Sequence, residues 1–114
     1  MTAAINVKKQ GDINIIYSAG QLQDKDCFCL RDVIADLINA GEYKIIIDLS
    51  KTTFMCSSAW GAIIGSLKMA KRGGGGILLA AMSEEAKAGF YMANFDQIID
   101  SCETVDRAIE AFHK

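Results

Sequence analysis

The residues best placed to do chemistry stand together at Cys56-Ser57-Ser58, a thiol followed by two hydroxyls. They fall between a strongly β-branched run, Tyr43 to Leu49, and an apolar-periodic segment that opens near Trp60. That position is a helix start. A serine there can be an N-cap, accepting from the free amides of the first turn. It can equally be a phosphorylation site, because the same amides favour the roughly −1.5 to −2 charges of a phosphoryl group. A thiol at a helix start also has two readings, a group that meets oxidants or a small buried hydrophobe. The residues alone leave both pairs of readings open.

Other chemistries find less support. A hydrolase needs a nucleophile, a base and an orienting group, yet the one histidine, His113, is next to the last residue, on a helix whose inward face is already apolar. No G-x-S-x-G elbow surrounds Ser57. Catalysis is therefore not expected. Gly73 to Gly76 would suit phosphate only after a strand and before a helix; here they follow a helix and enter a strand, so they read as a left-handed stop and a connector. The cysteines are Cys27, Cys29, Cys56 and Cys102, without a CxxC pair, so no metal or cofactor is expected and free thiols in a reducing cytosol are. A net charge of −2 without basic clustering argues against nucleic acid. Met1-Thr2-Ala3-Ala4-Ile5 lacks the layout of an export signal, and the longest apolar run, Ile77 to Met82, is too short to span a bilayer. A cytoplasmic protein without membrane insertion is the expectation.

The elements that must position the Cys56 segment follow from periodicity. At 114 residues and 51% hydrophobic, residues 1–114 read as a single domain with a real core. Ile5-Asn6-Val7, a turn at Gln10-Gly11, and Asp12 to Tyr17 read as a hairpin, closed by Ser18-Ala19-Gly20. Leu30, Val33, Ile34, Leu37 and Ile38 make one stripe of a helix over 24–39, with Asp24 and Asp26 at its start and Gly41 at its stop. Tyr43 to Leu49 predicts a strand buried on both faces, followed by a polar turn. A helix from Ser57 or Ser58 to Arg72 carries Trp60, Ile63, Ile64 and Leu67, with Gly61 and Gly65 thinning one face for close approach, chiefly by the sheet. A strand follows at Ile77 to Ala81, then a helix capped by Ser83 and ending near Asn94, and a short strand at Gln97-Ile98-Ile99. The last helix has Asp100 and Glu103 at capping-box spacing and Val105, Ala108, Ile109 and Phe112 inward. The order β-β-α-β-α-β-α-β-α predicts an α/β fold, a mixed sheet of four to five strands with helices packed on it.

Ile47-Asp48-Leu49-Ser50, Phe54-Met55-Cys56-Ser57-Ser58-Ala59-Trp60-Gly61, and the glycine run before Ile77-Leu78-Leu79 together resemble the STAS domain, within it the anti-sigma-factor antagonists of bacterial partner-switching systems. Gly20-Gln21-Leu22 is similar to that family's G-x-L, and Phe90 to Phe95 to its F-x-x-x-G-L, with Asn94 for glycine. The resemblance spans nearly the whole chain. It implies a non-enzymatic regulator that binds an anti-sigma factor serine kinase, is phosphorylated on Ser57 (Ser58 beside it being the second choice), and is reset by a PP2C-type phosphatase. The partner surface it implies comprises Gly20, Gln21, Leu22, Gln23, Asp48, Ser50, Cys56, Ser57, Ser58, Ala59, Trp60 and Gly61. Three departures stand out: Cys56 replaces an aspartate, Ala59-Trp60 replaces Gly-Leu, and Gln23 replaces an acidic residue. The alternative they raise is a constitutive interaction module in a transporter or sensory complex, without phosphorylation.

Overall fold

A computed structural model describes residues 4–23 and 25–113. Asp24, assigned above to the start of the first helix, lies outside the described residues. The expected hairpin turns at Gly11, whose φ of 63° is left-handed and costs glycine little. It joins β1 (Ala4–Gln10) to β2 (Ile13–Leu22), which pair antiparallel from Ala4 opposite Ala19 to Gln10 opposite Ile13. Next come α1 (Lys25–Asn39), β3 (Lys44–Met55), α2 (Ser57–Arg72) and β4 (Gly76–Ala80). The chain ends with α3 (Glu84–Met92), a 3-10 turn (Phe95–Gln97), β5 (Ser101–Cys102) and α4 (Val105–Phe112). The sheet runs β1-β2-β3-β4-β5, and every pair after the first is parallel. Element order and fold class are those expected from the sequence.

The sheet is covered on both faces. Ile45 and Ile47 of β3 point into a core shared with Leu30 and Ile34 of α1, Ile63 and Leu67 of α2, and Phe90 of α3. Ile46, one residue out of phase, faces a smaller core with Ile13, Ile15, Ala80 and Ala108 of α4. This explains why β3 reads as an unbroken β-branched run. Its hairpin side is pinned by Lys44, whose ammonium donates to the Asp12 carboxylate at 2.7 Å and holds that carboxyl below its usual range.

Several boundaries differ from expectation. β2 does not stop at Ser18-Ala19-Gly20, and β3 does not stop at Leu49: both run on, β2 to Leu22 and β3 to Met55. The polar residues Ser50 to Thr53 imitate a turn, but pairing with the β2 extension keeps them in the sheet. The last strand is Ser101–Cys102, not Gln97 to Ile99. Asn94 turns left-handed at φ 59°, Phe95–Gln97 coil as a 3-10 turn, and β4 is met only where Leu79 and Ala81 N–H groups donate to the Asp100 and Cys102 carbonyls. The cap of α4 is Thr104, which accepts from Arg107 N–H at 3.1 Å, rather than Asp100. Gly61 and Gly65 face solvent, and a Cβ on either would meet nothing within 4 Å, so they do not admit the sheet.

In the glycine run, Gly74 takes the left-handed turn at φ 92°. Gly75 is required for a different reason, since a Cβ there would overlap the Tyr43 carbonyl. The two classes of glycine separate by mutation. Gly75→Ala should lower stability by about 1–3 kcal/mol, the cost of forcing backbone apart in a packed site, whereas Gly61→Ala should raise it by about 0.4–1 kcal/mol through the unfolded chain's lost freedom. Urea midpoints at unchanged slope measure both.

Candidate functional site

The platform around Ser57 is built by β2 and β3 beyond the core. Tyr17 lies opposite Asp48 but Ala19 opposite Lys51, and Gly20 opposite Thr52 but Gln21 opposite Phe54. At each step β3 carries a residue more than β2, so the strand bulges and re-aims its side chains. Asp48 steadies the first bulge by accepting from Ser50 N–H at 2.8 Å. Thr52, fully buried, donates its hydroxyl to the Ser18 carbonyl at 3.0 Å. Gly20, at φ 88°, gives β2 the freedom to follow. Ser83 then ties this end of β3 to α3. Its hydroxyl donates to the Thr52 carbonyl at 2.6 Å and accepts from Ala86 N–H at 3.1 Å, as the cap expected from sequence.

The Leu22 carbonyl fixes where α2 begins. It accepts the Cys56 N–H at 2.9 Å and lies 3.3 Å from Cys27 Sγ at the start of α1. Cys56 is the residue before α2, in extended conformation, and its side chain makes no cap hydrogen bond. Ser57 and Ser58 are the first two helical residues and both are exposed. Neither serine is the N-cap that one sequence reading allowed. Their hydroxyls face outward beside a helix start with no side-chain cap, the end of the dipole that favours negative charge.

The cysteines correct another expectation. They are not four free thiols: Cys27 and Cys56 are paired sulfur to sulfur, and the free cysteines among the described residues are Cys29, exposed, and Cys102, half-buried. Burial, and then the Asp100 charge, push the Cys102 thiol up, which keeps it protonated and slow to react. Among the described residues no group of three or more His, Cys, Asp or Glu is arranged to hold a metal, and no helix is long and apolar enough to cross a membrane.

The residues assigned to the partner surface divide by depth. Gln21, Gln23, Ser50, Ser57, Ser58 and Gly61 are exposed, while Gly20, Asp48 and Cys56 are half-buried at the same end of the sheet. Gln23 Nε2 donates to Gln21 Oε1 at 2.8 Å, closing the edge of β2 with amides. Leu22, Ala59 and Trp60 are corrections, because all three are buried and present no surface. Trp60 turns inward, its ring 5.9 Å from Phe90 and 5.3 Å from Phe95, and so locks α2 onto α3. Phe54 and Phe28 are exposed aromatics that the sequence reading did not assign to the surface. Phe54, 47% exposed, lies opposite Gln21, and Phe28, 52% exposed, sits one residue after Cys27 under the Arg31 guanidinium. The signal for Phe28 was its place off the α1 apolar stripe.

Comparison with known proteins agrees with this architecture. The family model for the STAS domain matches residues 4–108. A proposed anti-sigma factor antagonist of Thermotoga maritima superposes with a TM-score of 0.88 at 23% identity, covering 96% of this chain and 95% of its own. An anti-sigma factor antagonist of Mycobacterium paratuberculosis gives 0.89 at 15% identity, covering 99% and 96%. The Bacillus cell fate determinant SpoIIAA, solved in its phosphorylated form, gives 0.73 at 21% identity, covering 95% and 98%.

Truncation distinguishes the buried aromatic from the surface one. Trp60→Ala should cost about 3–5 kcal/mol in a denaturation experiment, as for other core aromatics. Phe54→Ala should stay within about 0.5 kcal/mol of the parent, as surface changes do.

Proposed function

Because the chain belongs to the STAS domain family, we propose that residues 1–114 form a single partner-switching module that docks an anti-sigma factor serine kinase and is released by phosphorylation of Ser57. The docking surface in this proposal is the exposed end of β2 and β3 with the first turn of α2: Gln21, Gln23, Ser50, Phe54, Ser57, Ser58 and Gly61. The observation that carries it is the setting of Ser57, an exposed hydroxyl at the first helical position of an uncapped helix. A phosphoryl group there gains the helix amides without disturbing the core. Charge added at the centre of a docking face then weakens the complex, which a PP2C-type phosphatase would restore. Ser58, also exposed, is the second choice. The serine hydroxyl is the kinase's substrate here, not a catalytic group of this chain, and the module works by binding, with no cofactor, in the cytoplasm.

One observation favours constitutive docking in a transporter or sensory complex instead. Cys56 stands where the family carries aspartate, and its sulfur turns to Cys27, so the residue before Ser57 supplies no carboxylate. Incubation with the cognate kinase and ATP decides between them. The switch requires a gain of about 80 Da carrying the phosphate charge, lost in Ser57→Ala and kept in Ser58→Ala. Binding that persists without any mass gain, and unchanged in Ser57→Asp, overturns the switch and leaves the docking module. Gly61→Ala tests the surface separately: the added methyl on a face open to solvent should weaken kinase binding about tenfold while raising fold stability.

A further inference from the structure

We infer that Cys27 and Cys56 form a reversible dithiol–disulfide pair whose oxidation makes Ser57 a poorer phosphate acceptor. The inference rests on Ser57 as the acceptor and deepens that reading by naming a second input to the same site.

The pair joins the two helix starts beside the candidate surface. Cys27 is in the first turn of α1 and Cys56 immediately precedes α2, so a bond between them acts directly on the backbone that presents Ser57. With the sulfurs bonded their Cα atoms stand 7.2 Å apart, so the bridge ties the residue before Ser57 to the first turn of α1. The reduced state is provided for as well. Cys27 Sγ lies 3.3 Å from the Leu22 carbonyl, which its thiol can donate to, and Cys56 N–H donates to that same carbonyl. A domain with cores on both faces of its sheet does not need a disulfide to fold. Accessibility sets an order of events, since Cys56 is half-buried at the surface and Cys27 is buried behind it. The other two cysteines are outside the pair: Cys29 is exposed on α1, and Cys102 lies on β5 with its thiol pushed up by burial.

With a hydroperoxide as oxidant the chemistry balances. The Cys56 thiolate attacks one peroxide oxygen, the O–O bond breaks, and the departing hydroxide takes a proton to become water. The Cys56 sulfenic acid is then attacked by the Cys27 thiolate, the S–O bond breaks, the S–S bond forms and a second water leaves. Two thiols lose two electrons, and the peroxide is reduced to two waters. A dithiol such as dithiothreitol reverses the bond by exchange.

The full chain, reduced and then treated with equimolar hydrogen peroxide, should lose about 2 Da and yield a Cys27–Cys56 cross-linked peptide under non-reducing digestion, with Cys29 and Cys102 still open to alkylation. Amide exchange over residues 57–60 should slow about tenfold and recover with dithiothreitol. Phosphate transfer by the cognate kinase should fall about tenfold in the oxidised protein, and in Cys56→Ser should not respond to peroxide. Absence of the cross-linked peptide, a bridge to Cys29 or Cys102, or a Cys27–Cys56 bridge that leaves exchange at 57–60 unchanged would overturn the inference. Failure of the parent reading looks different: reduced protein then gains no phosphate at all, whatever the peptide map shows, and the redox input to Ser57 falls with it while the thiol chemistry stands on the map.

Discussion

The parallel pairing of β2 with β3 is the constraint on which the rest of the molecule depends. Within the core it is regular, and it lets Ile45, Ile46 and Ile47 serve two helical layers from one strand. Beyond the core it continues with two bulges, and the same ladder becomes the scaffold for a surface. Regular pairing over the whole length would alternate side chains strictly between the faces. The bulges break that alternation, so Ser50, Thr53 and Phe54 look outward while Thr52 stays buried with its hydroxyl satisfied. In the proposed function, this sheet end, hydrogen-bonded beneath and irregular above, is the base of the docking face.

The hydrogen bonds that end this ladder also decide where the helices start. One carbonyl, that of Leu22, receives the backbone of Cys56 and approaches the sulfur of Cys27. One hydroxyl, that of Ser83, spans β3 and the first turn of α3. Both act at the same end of the sheet. The positions of Ser57, Ser58 and the exposed aromatics therefore follow from a few buried polar contacts rather than from local helix propensity. Substitutions in the family pattern are legible in these terms. Ala59-Trp60 in place of Gly-Leu is a packing change, with Trp60 filling the space between α2, Phe90 and Phe95. Cys56 in place of aspartate is a chemical change, exchanging a carboxylate at the helix start for a sulfur with a partner.

Periodicity carried much of this fold. The apolar stripes of α1 and α2, the doubly buried run of β3 and the Ser83 cap each depend on neighbours within one or two turns, and such local rules are written in sequence. The errors fell where a distant strand supplied the deciding partner. Ser50 to Thr53 read as a turn because their polarity is visible and the β2 extension that pairs with them is not. Gln97 to Ile99 read as a strand because they are apolar, yet β4 is reached only at Ser101. Gly61 and Gly65 read as a close approach, and the helix is rotated so that they face water.

For the site the division is similar. Read without coordinates, the chain already puts a hydroxyl pair after a central strand at a helix start, and it already carries the residue pattern of the STAS family. Those facts need only order along the chain and the dipole of one helix. Only in the folded chain do Leu22, Ala59 and Trp60 become interior, Phe28 and Phe54 remain outside, and Cys56 meet Cys27. The reason is physical: burial and sulfur pairing are set by contacts between α1, β2 and α2, whose residues are separated along the chain and are brought together only when the sheet forms.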